Sequence, residues 1–411
     1  MAVVSIFNGI FCKENHLLME LAQKTGFTHF KDADIIAEAS RMSGIEEPRI
    51  KKAFSARVSV FNRFTHEKER SIAYLKLALA NILVEDNLII DGFTTHLIPK
   101  EVTHILRVCI IADMKFRLCV AEKENHLNKA EAVKLILKKD EQNALWVKKL
   151  HKIHDPWNAS LYDIIAPSNT MSEKEIFDLI IKHFDKGVLK ISKQSRKAVK
   201  DFKLSSEIEV ALSKQGHNVL VKSENGNVTL TINKHVLLLN RLEEELKDIA
   251  KSIKGTKNVE TTVGPDFYKA DIYRKQNFEV PMKILLVDDE REFVQTLSER
   301  LLIRDMGSSV AYDGESALEL IKEDEPEVII LDLRMPGIDG IEVLKRVKKT
   351  NPAIEVIILS GHGSEADRES CMKMGAFAYL QKPVDIDELS ETIKKANTQI
   401  RLKQKDKADK S

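Results

Sequence analysis

KILLVDDEREF (283–293) and VIILDLRMPGIDG (328–340) decide how the last third of this chain folds. Each carries an unbroken apolar run, ILLV or VIIL, that stops on aspartate. Runs of that length, bounded by acidic and glycine-proline turns, predict strands buried on both faces, as in a parallel sheet. The pattern repeats around them. Strand 283–287 is followed by a helix over 291–304, strand 308–311 by a helix near 315–323, and strand 328–332 by one near 339–349. EVIILS (355–360) precedes a helix near 365–374, and FAYL (377–380) one near 386–398. Five such units predict a doubly wound five-stranded parallel α/β domain, with its site at the carboxyl ends of the strands.

The residues at those strand ends carry a chemistry. Asp288 and Asp289 end the first strand and Asp332 the third, so a parallel sheet brings three carboxylates into one acidic pocket. Crowded carboxylates repel, and a hard divalent cation with oxygen ligands relieves the repulsion. Mg²⁺ in such a pocket leaves positions open for a phosphoryl group. Ser360 ends the fourth strand and Lys382 lies just past the fifth. A hydroxyl and an ammonium aimed at one point suit phosphoryl oxygens.

On these residues, 282–400 resembles the receiver domain of two-component response regulators, a flavodoxin-like fold. The resemblance implies that Asp332 is the phosphoacceptor, and that Asp288 and Asp289 hold Mg²⁺ with the backbone carbonyl of Arg334. It implies that Ser360 and Lys382 bind the phosphoryl oxygens, that Tyr379 is the aromatic switch residue, and that Lys382-Pro383 is a cis-proline site. Met335-Pro336-Gly337 and Asp339-Gly340 match the loop after the acceptor strand. The partner so implied is a sensor histidine kinase or a phosphotransfer protein.

The rest of the chain is read against its length and charge. At 411 residues, two to three domains are expected. Lys and Arg total 64 against 63 Asp and Glu, which offers no global field for nucleic acid or anionic membrane. Cys12, Cys109, Cys119 and Cys371 make no C-x-x-C pair, and read as small core residues in a reducing compartment. With no signal-like N-terminus and no apolar run approaching the ~20 residues that span a bilayer, a soluble, cytoplasmic protein is expected.

The first segment, 1–185, opens with strand VVSIF (3–7), a short loop and a helix from 15 to 24, followed by a helix-rich stretch to Leu83. Strands NLIIDG (87–92), ILRVCII (105–111) and YDIIA (162–166) lead to a helix over 172–184, again an α/β pattern. The loop Asn8-Gly9-Ile10-Phe11-Cys12-Lys13-Glu14 sits where a phosphate loop would. Glu14 stands in place of the hydroxyl residue that such a loop gives to magnesium. With HILRVCIIADMKFRL (104–118) and SLYDIIAPSNTMSEKEIFDLI (160–180), this segment resembles the cytidylate-kinase-like nucleoside monophosphate kinases, a P-loop-kinase-like α/β fold in degenerate form. Gly9, Lys13 and Arg117 are the candidate nucleotide contacts that the resemblance implies. Asp91-Gly92-Phe93 replaces the family's arginine-bearing glycine motif, so a pseudoenzyme is expected, with a receiver-gated nucleoside monophosphate kinase as the alternative.

Between the two, 186–265 reads as a small α+β module: helix, hairpin around Glu224-Asn225-Gly226, amphipathic helix 235–252, strand NVETTV (258–263). It resembles the BON domain, through LSSEIEVALSK and GTKNVETTV, which raises a lipid-surface adaptor as a further alternative. Lys182 to Lys203 reads as an exposed basic connector, 266–281 as a linker, and 401–411 as a charged tail. His151, His154 and Asp155 have ligand-like spacing but no completing ligand, and read as a surface turn beside Trp157. His66-Glu67 is weakly similar to a sensor-kinase phosphoacceptor and reads better as a solvated helix face. No helix-turn-helix follows the receiver, so direct DNA binding is not expected. The functional expectation is a phosphorelay regulator in which Asp332 phosphorylation changes what the upstream domains bind.

Overall fold

A computed structural model describes residues 3–55, 60–184, 191–233, 239–265, 267, 282–304, 306–361 and 364–408. Its contacts divide the chain into two units, one of Met1–Arg57 with Lys68–Lys275 and one of Val58–Glu67 with Gln276–Ser411. The linker expected over 266–281 lies, apart from Phe267, outside the described residues.

In the first unit, strands β1 (Val3–Asn8), β2 (Thr28–Lys31), β3 (Leu88–Asp91), β4 (Ile105–Ile111) and β5 (Ile164–Pro167) form one parallel sheet, ordered β2-β3-β1-β4-β5. Alternation along each strand sends side chains to two cores. Val3, Leu88, Ile90 and Ile105 enter one, and Val4, Ile6, Ile89, Leu106 and Val108 the other. Strand β2 was not expected. Its THFK is short, half-exposed and at the sheet edge, so it carries no apolar run to detect.

The same unit holds the middle module. Strands β6 (Leu220–Glu224) and β7 (Asn227–Ile232) pair antiparallel around Asn225-Gly226, both at positive φ, and β8 (Asn258–Val263) joins β7 in parallel. Helices Lys193–Lys214 and Leu239–Lys251 cover one face, through Leu204, Ile208, Leu212, Leu242 and Leu246. The start expected for the second helix, 235–238, lies outside the described residues.

The basic connector needs correction. Residues 193–203 begin the first of these helices, and Val199 and Phe202 are buried in the same core as β1 and β3. Ser195 is fully buried, its hydroxyl accepting from Thr103 N (2.8 Å) and meeting His104 Nδ1 at 2.6 Å. Lys193, Arg196, Lys197 and Lys200 line the opposite, exposed face, and their charge hid an amphipathic helix.

In the second unit, β9 (Ile284–Val287), β10 (Ser308–Ala311), β11 (Val328–Leu331), β12 (Glu355–Ser360) and β13 (Ala378–Gln381) form a parallel sheet ordered β10-β9-β11-β12-β13. Leu285, Val287, Ile329, Leu331 and Ile358 point to one core, and Ile284, Leu286, Val328, Ile330 and Ile357 to the other. Helices therefore cover both faces, as the unbroken apolar strands required. The final helix, Ile386–Ala408, runs past its expected end and into the expected tail. Ile400 is buried and Lys403 reaches Glu355 at 2.6 Å, which anchors the added turns.

Two smaller expectations also change. Cys119 is exposed, whereas Cys12, Cys109 and Cys371 are buried. His66 lies on no helix face: at φ 46° it breaks the chain between helices Asn62–Thr65 and Glu67–Ile82. Among the described residues, no helix is long and apolar enough to cross a membrane.

Candidate functional site

The register of the second sheet sets the acidic cluster. Val287 pairs with Leu331 across β9 and β11, so the residues that follow them, Asp288 and Asp332, leave the sheet side by side. One carboxylate oxygen from each of Asp288, Asp289 and Asp332 lies within 4.8 Å of the others. Asp288 and Asp332 are 3% and 6% exposed, so their charges are poorly screened. Burial, then the neighbouring Asp288 carboxylate, pushes the Asp332 carboxyl up, against the pull of Lys382.

Lys382 is the counter-charge. Its ammonium lies 2.7 Å from Asp288, 3.2 Å from Glu290 and 3.7 Å from Asp332, and sits 4.5 Å above the Phe293 ring. Burial would lower this ammonium, but the hydrogen bond to Asp288 and the charges of Asp288 and Asp332 hold it above its usual value. Sequence reasoning missed Glu290 and Phe293. Both lie within five residues of Asp288, yet only the fold turns them toward Lys382.

Ser360, at the end of β12, is 1% exposed. It joins Asp289, Arg334, Met335, Pro336 and Asp339 around an open cleft of about 600 Å³. Gly340 closes the floor of the loop: a Cβ there would lie 2.0 Å from the Asp332 carbonyl oxygen. Tyr379 projects from β13 beside the core that holds Leu331, and its hydroxyl is buried without a hydrogen bond among the described residues. The Lys382-Pro383 peptide is cis. The fold thus gathers Asp288, Asp289, Asp332, Arg334 and Ser360 at one sheet end, with Lys382 on the carboxylates.

The entrance of the first unit is built at an equivalent place and filled differently. Gly9 follows β1, and a Cβ on it would meet Ile111 at 2.7 Å and Arg117 at 3.4 Å. Arg117 is 3% exposed: its Nε donates to the Ile10 carbonyl (2.9 Å), and its two terminal nitrogens to Asp140 (2.8 Å each). Lys13 adopts a left-handed φ of 61° and pairs with Glu124 at 2.8 Å on the surface. Burial pushes the Glu14 carboxyl up, while the backbone N–H groups of Glu14 and Cys12 and the Asn8 side chain donate to it and pull it back. The strand-end loop at Asp91-Gly92-Phe93 is likewise occupied. Asp32 accepts from Phe93 N (2.8 Å), Thr94 N (3.0 Å) and the Thr94 hydroxyl (2.7 Å). Desolvation still raises its carboxyl to about 6. Gly92, at φ 109°, leaves room for that carboxylate, since a Cβ would sit 2.3 Å from it.

His151 departs from the expected surface turn. Its Nε2 meets His96 Nδ1 at 3.2 Å, and His96 Nε2 lies 3.4 Å from the Tyr162 hydroxyl. Burial, then the charges of His151 and Arg107, lowers His96 to about 3, so this pair is neutral at physiological pH. Sequence spacing could not pair residues 55 positions apart.

Residues 284–394 match the response regulator receiver domain family, and residues 3–170 the cytidylate kinase-like family. The chain is 35% identical over 113 residues to sporulation initiation phosphotransferase F of Bacillus subtilis, covering 28% of this chain and 91% of that protein. It is 34% identical over 110 residues to the response regulator MprA of Mycolicibacterium vanbaalenii, covering 27% of this chain and 48% of the relative. The chain therefore spans about half the length of the MprA regulators that it matches. A solved receiver domain from Clostridium thermocellum is 36% identical, over 29% of this chain and 98% of that one, with a TM-score of 0.29. Coverage of nearly all of a 35%-identical relative settles membership: through its C-terminal domain, this chain belongs to the response regulator receiver family.

Proposed function

We propose that this protein is the phosphoaccepting regulator of a two-component relay, with Asp332 as the acceptor and a partner histidine kinase or phosphotransfer protein as the donor. The observation that carries the proposal is the crowding of the Asp288, Asp289 and Asp332 carboxylates, with Lys382 as their one close ammonium among the described residues. Asp288, Asp289, Asp332 and the carbonyl of Arg334 are an all-oxygen set suited to Mg²⁺, which when bound neutralises charge on the equatorial phosphoryl oxygens. A carboxylate oxygen of Asp332 bonds to phosphorus as the phosphorus–nitrogen bond of the donor phosphohistidine breaks. The imidazole leaves with the electron pair and takes up a proton.

Lys382 and Ser360 are the ligands for the new phosphoryl oxygens. Lys382 must then leave Asp288, its closest partner, for the added charge. Tyr379, with its buried hydroxyl unpaired among the described residues, is the side chain free to follow Ser360.

The upstream domains are the output, within expected limits of 1–185 and 186–265, with the receiver over 282–400. We read the first as a docking body and not a nucleotide enzyme. Arg117 and Lys13 are both held by carboxylates, the Glu14 carboxylate takes backbone N–H groups of its own loop, and Asp32 takes those of the loop after β3. The test is labelling of the full chain with a small phosphodonor, phosphoramidate, with and without Mg²⁺, followed by peptide mapping. One Mg²⁺-dependent phosphoryl group on Asp332 is expected. Label that survives in D332A, or no label with Mg²⁺ present, would refute the reading.

A further inference from the structure

The first domain's sequence is interrupted, at residues 58–67, by a segment that belongs to the C-terminal unit. Phe61 is completely buried, and it lies in the same apolar cluster as Ile321, Val343, Val347 and Ile354 of the receiver. Asn62 and Thr65 are 7% and 3% exposed, so the short helix Asn62–Thr65 is packed as well. Glu67 closes the segment with an ion pair to Lys283 at 3.0 Å. Lys283 is itself only 3% exposed, and its second carboxylate is Asp324, also at 3.0 Å. An ammonium this buried requires close anionic partners, so Glu67 completes a site within the receiver unit.

Lys283 stands at the amino end of β9, whereas Asp288 follows its carboxyl end. The seat of this segment is therefore at the sheet end away from Asp332.

We propose that residues 60–67 are a built-in strap, an intramolecular ligand that the receiver binds through Phe61 and Glu67. The receiver is then no free-standing module, because its apolar cluster and its buried lysine are completed by a piece of the preceding domain. The occupant of this surface is the chain itself, and a second protein could take the seat only by displacing the strap.

Hydrogen exchange on the full chain tests this, read at the amides of 283–287, 321–328 and 60–67. F61A should speed exchange at all three by roughly 100-fold, as removal of a fully buried ring demands, with β4 of the other unit unchanged. F61L, which keeps apolar volume, should recover most of the protection. E67Q leaves the ring in place and should speed exchange by roughly tenfold around Lys283 and Asp324 only. Should F61A unfold the receiver outright, E67Q carries the test. Wild-type exchange in both variants would overturn the proposal, as would an E67Q effect spread evenly over the whole receiver.

Discussion

The carboxyl ends of β9 and β11 and the carboxyl end of β1 are the same architectural position in two parallel sheets, yet their charges are balanced in opposite ways. At the receiver end, Asp288, Asp289 and Asp332 crowd within 4.8 Å, and Lys382 answers them with one charge. At the β1 end the two candidate cations are matched from within, Arg117 by Asp140 and Lys13 by Glu124, while Glu14 takes the N–H groups of Cys12 and of its own residue. The unbalanced cluster keeps negative charge that a cation could answer, whereas the two cations at the β1 end already have partners. The fold offers the place in both sheets, and the residues decide whether it stays open.

The largest effect that could break this comparison is at Asp332. D332A should abolish phosphoryl labelling of the full chain by phosphoramidate, as read by intact mass. Next is D289N, which should raise the Mg²⁺ concentration needed for labelling by roughly 10-fold or more, the usual worth of a charged ligand contact. At the matched end, R117M should cost about 3–5 kcal/mol in thermal unfolding of the first unit, because it strands Asp140, and should leave labelling intact. Stability unchanged in R117M would mean that the arginine is held for a ligand and not for the fold. The smallest effect is at Lys13, where K13A should shift stability by less than about 1 kcal/mol, as expected of an exposed pair.

The pH dependence sharpens the same contrast. Asp332 is held above the ordinary aspartate value, so the folded receiver binds its proton more readily than the unfolded chain does. Its ionisation therefore opposes folding, and the opposition fades as pH falls through the folded value toward the ordinary one. Without Mg²⁺, D332N should be more stable than wild type near neutrality, and the gap should narrow on acidification. A gap constant with pH would remove burial and Asp288 as the cause.

Much of the receiver was legible because its information is local. ILLV and VIIL are buried on both faces, so no polar alternation blurs them, and each stops at an aspartate of the acidic cluster. Less was legible elsewhere, for reasons that differ. THFK of β2 is half-exposed and four residues long, which leaves no pattern. The helix Lys193–Lys214 was masked by lysines on its solvent face, although Val199 and Phe202 sit at the spacing that buries them. The final helix continued through the expected tail because Ile400 and Lys403 found partners on the receiver.

The sequence by itself determined the strands of the receiver, the identity of its three carboxylates, and the absence of a hydroxyl residue at the end of the β1 loop. These follow from short-range order, since apolar period and strand-end residues are read within a few positions. The tertiary structure alone decided which charges are matched. Arg117 meets Asp140 across 23 residues, Asp32 reaches Phe93 across 61, and Lys382 meets Glu290 across 92. It also decided that Phe61 joins the apolar cluster of the second unit and that Glu67 pairs with Lys283 across more than 200 residues. Pairings at such separations depend on how the sheets bring distant loops together, and no local pattern in the chain records that.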